Sequence, residues 1–339
     1  MDTRILFFRS WNNARSLAGV IGALKERYTV FEEDPVQPSD GKFTPAIDKR
    51  VAALIRNYSG KIDFCVTCCH NGNPVMKRLQ AEMKVKYGNY DIEHDLYSGL
   101  YELSPDGTSL GAFAFTKPEK EYLEKKNRKV FPALWYKYDQ LSSIPEITEQ
   151  AGRTALVVDD LYLGLRDEPF RYRDLFERVL LKPRARVTEG KRIAEGAEVK
   201  YAEWYGTEAM LTLGKQALFW FSKESSAIVE ALFLNRIPVL YFPDKPDMEG
   251  GFLSEIKEEP LDDVLSCVTI ESQFLHGRRM LAVTHTGDIA HKIAILRDDK
   301  ARRDSVIRTL REQWDIGATR HVKDILVEDI ERVLHENGS

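Results

Sequence analysis

A strand–turn–helix–strand unit in the second half of the chain limits the available folds more than any other segment. The apolar run Ala217–Phe221 predicts a buried strand, and Ile237–Phe242 predicts a second one. Between them lie the polar turn Ser222–Ser226 and a helix over Ala227–Leu234. Because a helix connects the two strands, we expect them to be parallel neighbours in one sheet.

The turn of this unit has the composition of a phosphate-binding site. Ser222, Ser225 and Ser226 can cap the helix, and the backbone N–H groups at a helix N-terminus bind anions. Glu230 lies one helical turn further along, where a carboxylate could accept both hydroxyl groups of a ribose. The pattern predicts a nucleotide site, and the alternative is an ordinary helix cap beside a surface glutamate.

Strands and helices alternate through the rest of the chain. Further strands are predicted at Arg4–Phe8, Tyr28–Glu32, Ile62–Cys69, Asp91–Tyr97, Leu110–Thr116, Thr154–Val158 and Leu180–Lys182. Further helices are predicted at Ala14–Arg27, Pro45–Tyr58, Val75–Val85, Thr116–Lys126, Tyr172–Val179, His291–Trp314 and Val322–His335. The acidic segment Asp244–Leu261 is predicted to be a loop. This alternation predicts the α/β class, with parallel sheets covered by helices on both faces.

The length of 339 residues predicts two domains, with a boundary in the irregular segment Pro132–Arg153. Hydrophobic residues make up 43% and charged residues 30%, an ordinary globular composition. The net charge of −4 provides no general attraction to nucleic acids or anionic membranes. Neither a signal peptide nor a run of roughly 18 apolar residues occurs, so we expect a cytoplasmic protein without an integral membrane segment.

Missing motifs argue against several classes of nucleotide-using enzyme. No Gly-x-Gly-x-x-Gly follows the first strand and no Gly-Lys-Ser/Thr occurs, which argues against dinucleotide dehydrogenases and P-loop ATPases. No Asp-x-Asp pair is present, so we expect a metal-independent mechanism. The Cys65-x-x-Cys68-Cys69 run lies in a predicted buried strand without a second ligand pair, which favours structural cysteines over a zinc site.

Basic side chains follow the strand that precedes the central unit. Lys182 and Arg184 lie within Arg178–Arg192, a stretch that is strongly basic. A diphosphate is bound by cations as well as by amides, so these two residues are candidate phosphate ligands. The alternative is a solvated basic face.

Polar residues also follow two predicted strands of the first domain. His70 comes after the third strand, and His94 and Asp95 lie on the fourth. A histidine or aspartate at a strand end is a candidate general base for deprotonating a hydroxyl acceptor. The alternatives are a structural histidine and a solvated strand end.

The chain resembles glycosyltransferases of the two-domain GT-B architecture. The residues that carry this resemblance are Ser222–Leu232 (Ser-Lys-Glu-Ser-Ser-Ala-Ile-Val-Glu-Ala-Leu), Arg236–Leu240, Lys182-Pro183-Arg184 and Ala114–Leu123. They look most like the branch of CDP-glycerol glycerophosphotransferases and surface-glycopolymer glycosyltransferases. That branch has a histidine in its Lys-x-His-Pro-like element, and this chain lacks it.

The resemblance implies two Rossmann-like parallel-sheet domains that face a cleft. Residues 1–145 would form the acceptor-side domain and residues 146–315 the nucleotide-donor domain. Residues 316–339 would form a C-terminal helix that packs back on the first domain. Ser225, Ser226 and Glu230 would hold the phosphates and ribose of the donor.

The sequence therefore predicts a metal-independent glycosyltransferase with no permanently bound cofactor. The donor is expected to be a nucleotide sugar, in the first place a UDP-sugar, and the acceptor a hydroxyl group of a glycopolymer. His94, Asp95 or His70 would take the acceptor proton. The alternatives are a phage-type DNA glycosyltransferase that modifies hydroxymethylated bases in duplex DNA, a sugar-nucleotide epimerase, a polyol-phosphate transferase, and a binding module without catalysis.

Overall fold

The chain divides into two compact units. A computed structural model describes residues 2–9, 17–34, 36, 44–67, 73–92, 109–113, 117–125, 129–132, 146–159, 170–183, 198–199, 207–222, 226–241, 255–271, 278–314, 316 and 320–337. The first unit comprises Met1–Leu141 together with Ala318–Ser339, and the second comprises Ser142–Gly317.

The first unit contains a six-stranded parallel sheet with the strand order β2-β1-β3-β4-β5-β6. Its strands are β1 (Arg4–Phe8), β2 (Thr29–Glu33), β3 (Phe64–Thr67), β4 (Asn89–Asp91), β5 (Ser109–Phe113) and β6 (Val130–Phe131). Its helices are α1 (Ala18–Lys25), α2 (Pro45–Tyr58), α3 (Asn73–Met83), α4 (Lys117–Lys125) and α10 (Val322–Glu336).

The second unit contains an eight-stranded sheet with the order β12-β13-β14-β11-β10-β7-β8-β9. Its strands are β7 (Thr154–Asp159), β8 (Arg178–Pro183), β9 (Glu198–Val199), β10 (Phe219–Ser222), β11 (Ile237–Leu240), β12 (Glu255–Pro260), β13 (Ser266–Glu271) and β14 (Arg278–Thr284). Its helices are α5 (Glu149–Gly152), α6 (Thr207–Gln216), α7 (Ser226–Phe233), α8 (Ile289–Asp298) and α9 (Lys300–Gln313).

The predicted α/β class is confirmed, because both sheets are built mainly of parallel strands connected by helices. Strands β10 and β11 are parallel neighbours joined by α7, as the central unit predicts. Helix α2 spans the predicted range Pro45–Tyr58. The side chain of Thr44 accepts a hydrogen bond from the amide of Ile47, and Pro45 occupies the first turn.

Three predictions for the second unit are wrong. Tyr172–Val179 is not a helix: it holds one 3-10 turn and the start of β8, which pairs with β7 along its length. The predicted loop Asp244–Leu261 includes β12, and the many charged residues of this strand are typical of the edge of a sheet. The predicted helix His291–Trp314 is two helices, because Asp299 ends α8 and its carboxylate caps α9.

Two elements of the first unit differ in their bounds from the predictions. The described part of the predicted helix Ala14–Arg27 is helical over Ala18–Lys25. Strand β4 lies at Asn89–Asp91, earlier than the predicted Asp91–Tyr97, and residues 93–97 lie outside the described residues.

Among the described helices, none combines the length and apolar character needed to cross a bilayer.

A fully buried arginine connects several elements of the second unit. The Nε of Arg236 donates to the carbonyl of Gly214 at 2.8 Å, and its Nη1 donates to the carbonyl of Leu234 at 2.9 Å. Its Nη2 reaches the carbonyl of Glu146 at 3.4 Å. Burial lowers the pKa of Arg236 to about 10, so the guanidinium is still charged at neutral pH.

A second arginine binds the same end of α7. The Nη1 of Arg311 donates to the carbonyl of Leu232 at 3.2 Å and to the side-chain carbonyl of Asn235. The last carbonyl groups of a helix have no partner within the helix, and cations are favourable at its negative end. Arg236 and Arg311 therefore satisfy and stabilise the C-terminus of α7.

A buried carboxylate attaches α10 to the sheet of the first unit. Asp329 accepts hydrogen bonds from the hydroxyl of Tyr90 at 2.8 Å, from Lys129, and from Arg332 at 2.9 Å. Burial alone would raise the pKa of Asp329, but these hydrogen bonds and the charge of Lys129 outweigh it and hold the pKa below its usual value. Tyr90 lies on β4, so α10 is attached to a central strand.

We expect Asp329→Asn to lower the free energy of unfolding by about 1–3 kcal/mol at pH 7, since it leaves the buried Tyr90 hydroxyl and two exposed cations, Lys129 and Arg332, without their charged partner. The pKa of Asp329 is lower in the folded state, so the wild-type protein loses this contribution as the pH falls through the folded-state value. Urea unfolding at pH 7 and about pH 3 should show that the difference between the two proteins narrows in acid. Glu328→Gln, which removes an exposed ion pair with Arg320, is the control and should change the free energy by less than about 0.5 kcal/mol.

Gly214→Ala should destabilise the second unit by about 1–3 kcal/mol, because a new Cβ at this position overpacks the core. That atom would lie 2.4 Å from Cζ2 of Trp220 and 2.6 Å from Cδ1 of Leu234. Gly22→Ala in α1 is the matched control, since its Cβ would meet nothing within 4 Å. If urea unfolding gave the two variants equal stability changes, close packing at Gly214 would be refuted.

Candidate functional site

The carboxyl ends of the parallel strands in the second unit form one edge of its sheet. Strand β10 ends at Ser222, β11 at Leu240 and β14 at Thr284, and these strands are neighbours. Helix α7 begins at the same edge, at Ser226. Ligands of open α/β sheets bind at this edge, so we expect a ligand-binding site here.

Helix α7 is almost completely enclosed by the protein. Its apolar residues Ala227, Ile228, Val229, Ala231 and Leu232 are all buried. This explains why the segment is so apolar for a helix of 8 residues. The positive end of the helix dipole lies at the carboxyl edge of the sheet, which favours an anion there.

Ser222 is a strand residue and not part of the turn as predicted. Its side chain is 1% exposed, and among the described residues its Oγ has no hydrogen-bond partner. Its carbonyl accepts a hydrogen bond from the amide of Tyr241 at 2.9 Å. A buried hydroxyl without a partner is unfavourable by about 1–3 kcal/mol, so this atom is a candidate ligand-binding group.

Glu230 is buried within α7, with 6% of its surface exposed. The surface glutamate that formed the alternative to a nucleotide site is therefore ruled out. The position of Glu230 on the helix that begins at the carboxyl edge agrees with a binding role.

The other predicted phosphate ligands are only partly described. Lys182 is half-buried near the end of β8, beside Val158 of β7. Ser226 is the first residue of α7 and not the residue before it. Ser225 and Arg184 lie outside the described residues.

The predicted general bases His70, His94 and Asp95 also lie outside the described residues and stay predictions. The strands that precede them end in the first unit at Thr67 and Asp91, and both of these residues are buried.

An aromatic cluster at the carboxyl edge of the second sheet was missed by sequence reasoning. The ring of Tyr241, which follows β11, lies 4.8 Å from the ring of His285, which follows β14. The hydroxyl of Tyr172 donates to the carbonyl of His285 at 3.1 Å, and its ring stacks with that of Phe221. His285 belongs to no sequence motif, and the strand that precedes it, β14, was not predicted.

A hydrogen-bonded carboxylate fixes the turn that follows β14. Glu258 accepts from the hydroxyl groups of Ser266 at 2.6 Å, Thr284 at 2.5 Å and Thr286 at 2.5 Å. Burial alone would raise the pKa of Glu258, but these three donors and the charge of Lys292 lower it. The network holds the backbone on both sides of His285 in place.

Within the described ranges, no group of three or more His, Cys, Asp or Glu side chains is placed to hold a metal ion. A cavity of about 500 Å³ is lined by Thr148, Glu149 and Arg153, which precede β7. It therefore lies at the amino edge of the sheet, away from α7's N-terminus.

No protein-family model matches the chain, and no curated protein matches it. Solved structures share its fold. A UDP-GlcNAc 2-epimerase from Neisseria meningitidis bound to UDP-GlcNAc is similar with a TM-score of 0.56 and 11% identity, over 98% of this chain and 100% of that one. The wall teichoic acid polymerase TagF is similar with a TM-score of 0.58 and 9% identity, over 99% of this chain and 90% of that one.

A UDP-glucosyltransferase from Polygonum tinctorium is similar with a TM-score of 0.53 and 12% identity, over 98% of each chain. At these identities the similarity shows the fold. The GT-B resemblance is therefore confirmed for the fold, with two Rossmann-like α/β units, whereas the specific branch stays a prediction.

We expect Ser222→Ala to leave the free energy of unfolding unchanged or to raise it by up to about 1 kcal/mol, because the hydroxyl that it removes is buried without a partner among the described residues. Thr154→Val is the control. It removes a hydroxyl that is equally buried but donates to the carbonyl of Gln150 at 2.8 Å, so it should lower the free energy by about 1 kcal/mol. Chemical denaturation of both variants measures the contrast, and an equal loss in both would show that the Ser222 hydroxyl is satisfied.

Proposed function

We propose that the protein binds a nucleoside-diphosphate sugar at the carboxyl edge of the second sheet and transfers the sugar to a hydroxyl acceptor. The observation that carries this proposal is the placement of two buried polar groups, the Ser222 hydroxyl and the Glu230 carboxylate, beside the N-terminus of α7. This arrangement offers an anion site and a carboxylate within one helical turn of each other.

Each group has a role that follows from its chemistry. The amides at the start of α7, with Ser222, Ser225 and Ser226, bind the diphosphate. Lys182 and Arg184 neutralise its charge and stabilise the departing nucleoside diphosphate. Glu230 accepts hydrogen bonds from the ribose hydroxyls, and His94, Asp95 or His70 takes the proton of the acceptor.

The names of similar proteins support UDP as the nucleotide. One was solved with UDP-GlcNAc and another is a UDP-glucosyltransferase. TagF, a wall teichoic acid polymerase, supports a polymer hydroxyl as the acceptor class. None of these three is named for DNA modification, and duplex DNA as acceptor has no support from them.

Epimerisation is the second candidate, because the epimerase from Neisseria meningitidis matches over its whole length. The two reactions are separated by incubating the protein with a UDP-sugar alone. An epimerase converts the sugar without an acceptor, whereas a transferase needs a hydroxyl acceptor for stoichiometric release of UDP. A polyol-phosphate transferase would instead release a nucleoside monophosphate from its donor.

Glu230→Gln tests the nucleotide site, because it removes the charge of the carboxylate and nearly preserves its volume. We expect wild-type protein to bind UDP about tenfold or more tightly than 2′-deoxy-UDP, since a hydrogen bond to a charged group contributes about 1.5–3 kcal/mol. The variant should bind UDP more weakly and lose most of this discrimination. Isothermal titration calorimetry measures all four affinities.

Glu177→Gln serves as the control, because Glu177 is an exposed partner of Arg153 at the amino edge of the same sheet. It should leave both affinities unchanged. An unchanged preference for UDP over its deoxy analogue in Glu230→Gln would remove Glu230 from the ribose site.

A further inference from the structure

Arg171 is an exposed cation that is held against two tyrosine rings. Its guanidinium carbon lies 5.1 Å from the ring centroid of Tyr172 and 5.6 Å from that of Tyr241. Both distances are within the roughly 6 Å over which a cation is attracted to an aromatic face. The side chain is therefore ordered by contacts with neighbouring rings.

The two rings lie at the carboxyl edge of the second sheet. Tyr241 follows β11, and its amide donates to the carbonyl of Ser222 at 2.9 Å. The Tyr172 hydroxyl is bonded to the backbone carbonyl of His285, directly after β14. Arg171 is thus held next to the ends of β10, β11 and β14, the edge at which α7 begins.

The rings that hold Arg171 are themselves fixed. Tyr241 is buried and packs against His285, and the ring of Tyr172 lies 6.1 Å from that of the buried Phe221. A long side chain normally loses conformational entropy when it binds a ligand. Because Arg171 is already positioned, much of that loss has occurred before any ligand arrives.

We propose that Arg171 binds the diphosphate of the nucleotide donor at the carboxyl edge of the sheet, where the α7 amides also lie. This inference rests on the proposed function and adds a residue to the same site. A guanidinium stacks by its face, whereas its N–H donors lie in its plane, and this geometry suits bidentate binding of phosphate oxygens. Arg171 lies outside the basic stretch Arg178–Arg192 that the sequence indicates as the source of cations.

Arg171→Gln and Arg171→Lys test this role. The ligand is whichever of UDP, CDP, ADP and GDP the wild-type protein binds most tightly by isothermal titration calorimetry. We expect Arg171→Gln to weaken its binding about tenfold or more, because a charge-assisted bidentate contact is lost. Arg171→Lys keeps the charge but not the planar fork, so its affinity should lie between those of the wild type and Arg171→Gln.

Arg153→Gln is the matched control. Arg153 is an exposed arginine of the same unit, but it lies before β7 at the amino edge and pairs with Glu149 and Glu177. It should not change nucleotide affinity. Thermal unfolding of Arg171→Gln should match that of the wild type, because the side chain is exposed.

The outcomes distinguish this inference from the function on which it rests. If the wild-type protein binds one of the diphosphates and Arg171→Gln binds it within twofold of the wild type, the role of Arg171 is refuted while the nucleotide site stands. If the wild-type protein binds none of the four, the proposed function fails and this inference fails with it.

Discussion

The guanidinium of Arg236 is the interaction on which the second unit depends. Removing a charge from water is costly, and a buried arginine is tolerated only when its donors are matched by acceptors. Here the acceptors are backbone carbonyls from α6, from the C-terminus of α7 and from the segment before α5. The carbonyls of Gly214 and Leu234 in turn gain a charged donor in the interior of the unit. The cation and the three chain segments therefore stabilise one another.

This interaction at the amino edge of the sheet determines the geometry at the opposite edge. Helix α7 is short and enclosed, so fixing its C-terminus with Arg236 and Arg311 also fixes its N-terminus. In the proposed function, the amides at that N-terminus are consequently in position before a nucleotide binds. A preformed site binds more tightly than one that must be ordered on binding, because fewer groups lose freedom.

The sequence predicts those parts of the fold in which local and tertiary preferences agree. The central strand–helix–strand unit and α2 are examples, since apolar periodicity, caps and turn residues all favour the same structure. Tyr172–Val179 shows the opposite case. Its helical pattern is overridden by pairing of β8 with β7 and by packing of Phe176 against the sheet. Strand β12 was predicted to be a loop because an edge strand rich in charged residues has a composition similar to that of a loop.

The candidate site is predictable from the sequence only where its residues lie close together along the chain. Ser222 and Glu230 lie in one local motif, so their association with α7 can be read from spacing. The group formed by Arg171, Tyr172, Tyr241 and His285 comes from three separate segments, and only the folded sheet brings them together. Likewise, the carboxylate of Asp329 looks like an ordinary surface residue of an amphipathic helix until the sheet supplies Tyr90 and Lys129.

Helix α10 belongs to the first unit although it follows the second unit along the chain. During synthesis, the ribosome therefore produces most of the first unit, then the entire second unit, and only afterwards the helix that completes the first. The buried hydroxyl of Tyr90 lacks its acceptor, Asp329 of α10, throughout that interval. The second unit, by contrast, is continuous in sequence, so the later-made half of this protein can reach its native state before the earlier-made half.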